Sequence, residues 1–201
     1  MMFGLWVVSA AITIWCRGAE GLPTLTEVSP LANWNPESGV NPDEIGDFEE
    51  GDMDVPVDYA RNGLVDEKFR WPNGTVAYVI SGEFNEKQLV KIHTAFEIFE
   101  NSTNGCISFV ERTDEHDRIN IKSERSGCHS AVGKTGGSQT VNLDTHGCFS
   151  SIGLPLHELL HALGFHHEQS RFDRNEHVTI NWENIKEGHN ESWKASGQGK
   201  S

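Results

Sequence analysis

The sequence predicts an α+β domain, and three observations carry that expectation. A β-rich run, Thr75–Ile80, precedes a strongly patterned helix; further short β-rich runs follow; and a second, apolar helix comes after them, with no internal repeat. That order fits helices packed on a small, mixed, twisted sheet. Thr75-Val76-Ala77-Tyr78-Val79-Ile80 follows Trp71-Pro72 and is dense in strand formers. Asn85, with Gln88 three residues on, caps a helix running to about Asn101. Leu89, Ile92, Phe96 and Phe99 are spaced 3, 4 and 3, which gives that helix one buried face. Strands are expected at 107–111, 118–122 and 140–143. Pro155 lies near the first turn of the second helix, where a missing N–H costs nothing.

The second helix carries the stretch around which the chain is organised, His157-Glu158-Leu159-Leu160-His161-Ala162-Leu163-Gly164-Phe165-His166-His167-Glu168. H-E-x-x-H continues here as H-x-x-G-x-x-H, the long zinc-protease pattern. His157 and His161 are four apart and project from one helix face. Glu158 is rotated about 100° from His157, which places its carboxylate beside the metal, in reach of a water proton. Gly164 ends the helix through a positive φ and turns the chain back. His167 then arrives as a third ligand, and three protein nitrogens leave a position open, as a catalytic zinc requires. A buried amphipathic helix with incidental histidines would explain H-E-x-x-H alone. Gly164 and His167 at their places remove most such chance matches. His166 lies off the repeat and reads as a surface or packing residue.

The net charge of −14 is uneven. Residues 1–61 hold Arg17 and Arg61 against eleven acidic residues, a balance of −9, and residues 62–201 hold the remaining −5. With no basic patch, nucleic acid is excluded as an expected partner, and acidity argues against anionic lipid. The run from Phe3 to Trp15 has the length of a signal-peptide core and is too short to span a bilayer, with small residues at Gly18 and Ala19 for cleavage. Residues 1–19 are therefore expected to be a signal peptide, and the protein to be secreted without a membrane anchor. From Gly21 to Tyr59 the chain carries Pro23, Pro30, Pro36, Pro42 and Pro56 among acidic residues, a composition that by itself reads as extended or disordered. Between an export signal and a protease motif, a propeptide over 20–61 is the expected reading.

The run from His157 through Arg171, Asp173 and Arg174 to Val178, Ile180, Asn184 and Ile185 resembles the astacin family of zinc metalloproteases, whose members read H-E-L-x-H-A-x-G-F-x-H-E-x-x-R-x-D-R here. The resemblance implies a metzincin-type, zincin-like catalytic domain over 62–201, with one zinc on His157, His161 and His167. It implies a switch in the propeptide, where the family's F-x-G-D motif lends its Asp to the zinc. Phe48-Glu49-Glu50-Gly51-Asp52 matches at Gly51-Asp52, with Phe48 one place early, so Asp52 is the candidate. It also implies activation between Arg61 and Asn62 by a trypsin-like protease, after which the new α-ammonium of Asn62 is drawn toward Glu168. Residues Cys128 to Gln139 resemble the family's rim strand and adjoining loop, an unpaired edge that would bind an extended peptide through its backbone; a plain surface hairpin is the alternative.

Cys16 falls in the expected signal peptide, leaving Cys106, Cys128 and Cys148, an odd number for an exported protein. By resemblance Cys128 and Cys148 form a disulfide, while Cys106 resembles a family cysteine whose partner lies near the domain's C-terminus and has no counterpart here. Asn73, Asn101 and Asn190 head sequons compatible with N-glycosylation. Relatives also continue to a Met-containing turn and a Tyr near the zinc. Here the Met residues are Met1, Met2 and Met53 and the Tyr residues Tyr59 and Tyr78. On this resemblance the domain is expected to be incomplete at its C-terminus, with most of the lower subdomain missing.

The expectation is a secreted zinc-dependent endopeptidase zymogen acting on protein or peptide substrates, with Glu158 as general base. The alternative is a catalytically impaired, zinc-binding secreted fragment or short isoform lacking the lower half of the cleft.

Overall fold

A computed structural model describes residues 29–55, 67–171 and 173–185. Its frame is a six-stranded mixed sheet: β1 (Met53–Asp54), β2 (Thr75–Ile80), β3 (Ser108–Glu111), β4 (Arg118–Lys122), β5 (Cys128–Ala131) and β6 (Ser138–Leu143), in the order β1-β5-β6-β4-β2-β3. β2 runs parallel to β3 and β4, and β4 runs parallel to β6, while β5 turns antiparallel against β6 and β1 runs with β5. The three strands expected beyond Thr75–Ile80 all form, with one starting a residue later and one starting at Ser138. The last of these gains its extra residues by pairing Ser138 and Gln139 with Arg118 and Ile119.

Helix α1 spans Glu86–Ser102, and its capping box is complete: the Gln88 N–H donates to the Asn85 side chain and the Asn85 N–H to that of Gln88. Ile92, Phe96 and Phe99 are buried and Leu89 half-buried, so the 3-4-3 spacing does become one packing face. Phe96 stacks on Phe109 with ring centroids 4.5 Å apart, which fastens α1 to β3. The core continues through Val76, Ile119, Ile121, Val141 and Leu143 of the sheet to Leu159 and Ala162 of helix α2 (Gly153–Leu163). Trp71 joins that core and donates its indole N–H to the Ala162 carbonyl at 2.8 Å. Cys128 and Cys148 are disulfide-bonded, with Cα atoms 5.7 Å apart, and tie β5 to the loop that leads into α2. Cys106 is free and exposed.

Residues 29–55 lie docked on this domain, although their composition alone reads as extended. Leu31 is 1% exposed and Met53 2%, so two apolar side chains supply the burial that the proline-rich composition does not promise. A short 3-10 turn, Pro42–Ile45, follows, and β1 pairs parallel with β5, Met53 opposite Ser130. β5 therefore has β6 on one side and the short β1 on the other. Among the described residues no helix is long and apolar enough to cross a membrane. The expected signal peptide, the Arg61–Asn62 cleavage site and Asn190 lie outside the described residues.

Candidate metal centre

Helix α2 packs against β5 and brings the Nε2 atoms of His157 and His161 to the carboxylate of Asp52, the residue before β1. Its end is set by Gly164, whose φ of 107° is left-handed and whose N–H reaches the His161 carbonyl at 2.7 Å. The chain reverses there and returns His167 to the two helical histidines. On the other side, Gly133 N–H donates to the His161 carbonyl at 2.8 Å, so the loop after β5 also holds the end of α2. Buried Arg174 donates to the Gln169 carbonyl and secures the segment beyond His167.

The three imidazoles converge through one nitrogen each. His157 Nε2 lies 3.0 Å from His161 Nε2 and 3.1 Å from His167 Nε2. Asp52 Oδ2 completes the group, 2.8 Å from His157 Nε2, 3.3 Å from His167 Nε2 and 3.5 Å from His161 Nε2. All four donor atoms fall within 4.8 Å of one another. Ligands at about 2.0–2.1 Å on a tetrahedral zinc stand about 3.3–3.4 Å apart, close to these separations. The outer nitrogens strengthen the fit. His161 Nδ1 donates to the Phe165 carbonyl at 2.7 Å, and His167 Nδ1 lies 2.9 Å from a Glu50 carboxylate oxygen. A neutral imidazole that donates from Nδ1 presents a bare lone pair at Nε2. Lone pairs facing one another at 3.0–3.1 Å call for a cation between them, and outer-nitrogen partners of this kind are what metal-ligating histidines use.

Charge at the site follows from the same geometry. Asp52 is 1% exposed, and burial pushes its carboxyl up, but the three histidines more than offset this and hold it far below the usual carboxylate range. Without a metal, burial pulls His167 down while Asp52 and Glu50 raise it, to about 10. Glu158 is fully buried, and neither carboxylate oxygen has a protein hydrogen-bond partner. Burial first, then the charges of Asp52 and Asp43, push it well above its ordinary value. An orphaned carboxylate beside three converging histidines is suited to exchange protons with a group entering from the cleft. Asp52 Oδ1 is likewise buried and unbonded.

The expected site residues distribute as follows. His157, His161, His167 and Asp52 are brought together, and Glu158 is buried close enough to feel the charge of Asp52. Glu168 is exposed, 3.5 Å from Arg171, and lines a cavity of about 460 Å³ with Arg174, His177, Val178 and Ile180. His166 is half-buried, a packing residue. Asn73 and Asn101 are exposed. Sequence reasoning passed over Glu50, Ser170 and Asp43. Asp43 lies 3.9 Å from His157, and Glu50 was visible only as one more acidic residue beside Gly51-Asp52.

Histidines from a helix and a glycine turn, gathered under a mixed sheet beside a buried glutamate, are the architecture of the zinc metallopeptidases. Residues 64–201 match the family model "Astacin", which describes a peptidase family, and the chain belongs to the astacin family. Zinc metalloproteinase nas-8 of Caenorhabditis elegans is 39% identical over 125 residues, covering 62% of this chain and 30% of that protein. High choriolytic enzyme 1 of Oryzias latipes is 44% identical over 126 residues, covering 63% of this chain and 42% of the relative. The chain thus spans well under half the length of these curated relatives. Among solved structures, that hatching-enzyme zinc-protease of medaka aligns with a TM-score of 0.57 and 38% identity, over 67% of this chain and 68% of its own.

Proposed function

We propose that the chain is the zymogen of a secreted zinc endopeptidase, with a signal peptide at 1–19, a propeptide at 20–61 and a catalytic domain from Asn62. The convergence of three histidine nitrogens beside the unbonded carboxylate of Glu158 is the observation that supports this reading most. His157, His161 and His167 would hold the zinc. When bound, zinc supplies a Lewis acid that lowers the pKa of water to about 7 and polarises a carbonyl. Glu158 takes the proton of the attacking water on a carboxylate oxygen and hands it to the nitrogen of the leaving amine. Its burial raises its proton affinity, which suits it to carry that proton between the two steps. The free edge of β5 binds the backbone of an extended peptide once β1 has left.

In the uncut chain Asp52 fills the position the reaction needs, and β1 fills the edge the substrate needs. Cleavage at Arg61–Asn62 by a trypsin-like protease removes both. The new α-ammonium of Asn62 then pairs with Glu168, whose neighbouring cavity is large enough to receive a chain terminus. Glycans at Asn73, Asn101 and Asn190 fit passage through the secretory route.

The test is zinc content together with hydrolysis of a generic protein substrate by the purified chain, before and after trypsin. The expected result is a single zinc per chain in both states and hydrolysis only after trypsin. Absence of zinc from the uncut chain would overturn the reading.

A further inference from the structure

Glu50 is a second point at which residues 29–55 enter the histidine cluster. One oxygen of its carboxylate lies 2.9 Å from His167 Nδ1 and also accepts from Ser170 Oγ at 2.7 Å. Ser170 is 3% exposed, and the Glu50 side chain is 17% exposed, so this group sits inside the fold. Glu50 also adopts a left-handed backbone, φ 54°, unusual for a residue with a side chain. Such a conformation persists where its surroundings over-determine it. Here they do, because the Gly51 N–H bonds the Phe48 carbonyl at 3.0 Å and Glu49 and Met53 exchange hydrogen bonds across the turn. The turn directs Glu50 to the outer face of His167 while Asp52, two residues on, reaches the inner face.

We propose that Glu50 is a positioning residue for the third metal ligand, so that the segment covering the site also fastens it. This rests on the zinc reading above. An ionised carboxylate can only accept, so Glu50 fixes the proton of His167 on Nδ1 and turns Nε2, bare, toward His157 and His161. His161 has its own such partner in the Phe165 carbonyl. His167 stands beyond the end of α2, and among the described residues the acceptor for its Nδ1–H is Glu50. Ser170 shares the same carboxylate oxygen and keeps it aimed. The uncut chain therefore holds zinc longer than it would with Asp52 alone.

The experiment loads the full chain with zinc and follows its release to a chromogenic chelator, for wild type, Glu50→Ala, Glu50→Gln and Asp52→Ala. Hydrogen exchange at the Ser130 amide, which donates to the Asp52 carbonyl at 2.9 Å, reports separately whether the segment stays docked. Loss of an outer-nitrogen partner typically costs about 10–100-fold in metal affinity, so Glu50→Ala should release zinc faster by about that factor. Ser130 should keep its protection, and Glu50→Gln, whose amide oxygen still accepts, should be partly rescued. Release from Glu50→Ala within about twofold of wild type, against the roughly 10–100-fold expected, overturns the proposal. So does faster release accompanied by lost Ser130 protection, since Glu50 would then merely hold the segment down. A wild-type chain that takes up no zinc sinks the metal reading as well, which distinguishes the two failures.

Discussion

Asp52 Oδ2 and His157 Nε2 stand 2.8 Å apart although 105 residues separate them, and that contact sets a carboxylate on the histidine cluster. If the carboxylate silences the site, Asp52→Ala should raise hydrolysis by the uncut chain while zinc remains bound to the histidines. The comparison needs Arg61→Gln in both chains, so that processing cannot account for the change. A rise of about tenfold would correspond to about 1.4 kcal/mol of closure lost. Unchanged basal hydrolysis would remove Asp52 from the switch and leave β1 as a plug.

Leu31 should matter to latency almost as much, from farther away. It is 1% exposed within the core cluster, and a Cβ placed on Gly147 would come within 2.8 Å of it. Next to it Ser29 donates to the fully buried carboxylate of Asp144. Truncating a buried Leu to Ala costs about 2–5 kcal/mol, and here most of that falls on docking of the segment. Leu31→Ala should speed proteolytic nicking of residues 29–47 while nicking of 67–185 stays as in wild type. Gly147→Val should do the same from the opposite wall. Equal resistance in all three chains would show that Leu31 does not anchor the segment.

How much of this was legible in the sequence depended on range. The histidine spacing, the Gly164 turn and the Asn85–Gln88 box are relations within one turn or one loop, where residue type and spacing dictate geometry. The Glu50–His167 and Ser29–Asp144 contacts span more than a hundred residues, and nothing local marks them. Phe48 shows the boundary. Its place one residue early looks like a mismatch to the family's motif, yet the left-handed pair Glu50 and Gly51 lets Phe48 stack on His129 with centroids 3.8 Å apart. Gly51 is required there, since a Cβ would meet the Asp43 carbonyl oxygen at 2.8 Å. The docking of 29–55 escaped composition because a few scattered side chains, Leu31, Pro42 and Met53 with Trp34 and Ile45 beside them, do the burying.

The loop that supports the end of α2 should be acid-sensitive through Asp117. Its carboxylate lies 2.8 Å from His116 Nδ1 and accepts from Gly137 N–H at 2.7 Å and from Lys134 at 3.0 Å, and these partners lower its pKa. A carboxyl lowered in the folded state stabilises above its unfolded value, about 3.9, and that stabilisation is lost as pH falls through the folded value. Asp117→Asn should therefore melt below wild type at pH 7, and the gap should narrow as the pH drops below about 4. A gap independent of pH would mean that the charge plays no part in holding the loop.

Glu158 provides the sharpest division between holding metal and doing chemistry. Its carboxylate is buried and unbonded, so Glu158→Gln changes proton affinity with little change of shape. The variant should keep its zinc, because the histidine nitrogens and Asp52 are untouched. It should also fold at least as stably, since an amide is easier to bury than a carboxylate beside Asp52. Hydrolysis after trypsin should fall by about 10²–10⁴-fold, the usual worth of a positioned acid–base group. His161→Ala is the counterpart: it removes a ligand nitrogen 3.0 Å from that of His157 and should lose the metal before any question of rate arises. Metal analysis and peptide hydrolysis on the two variants side by side decide the assignment. Substantial hydrolysis by Glu158→Gln would show that another group moves the proton, and tight zinc in His161→Ala would show that the ligand set is wrong.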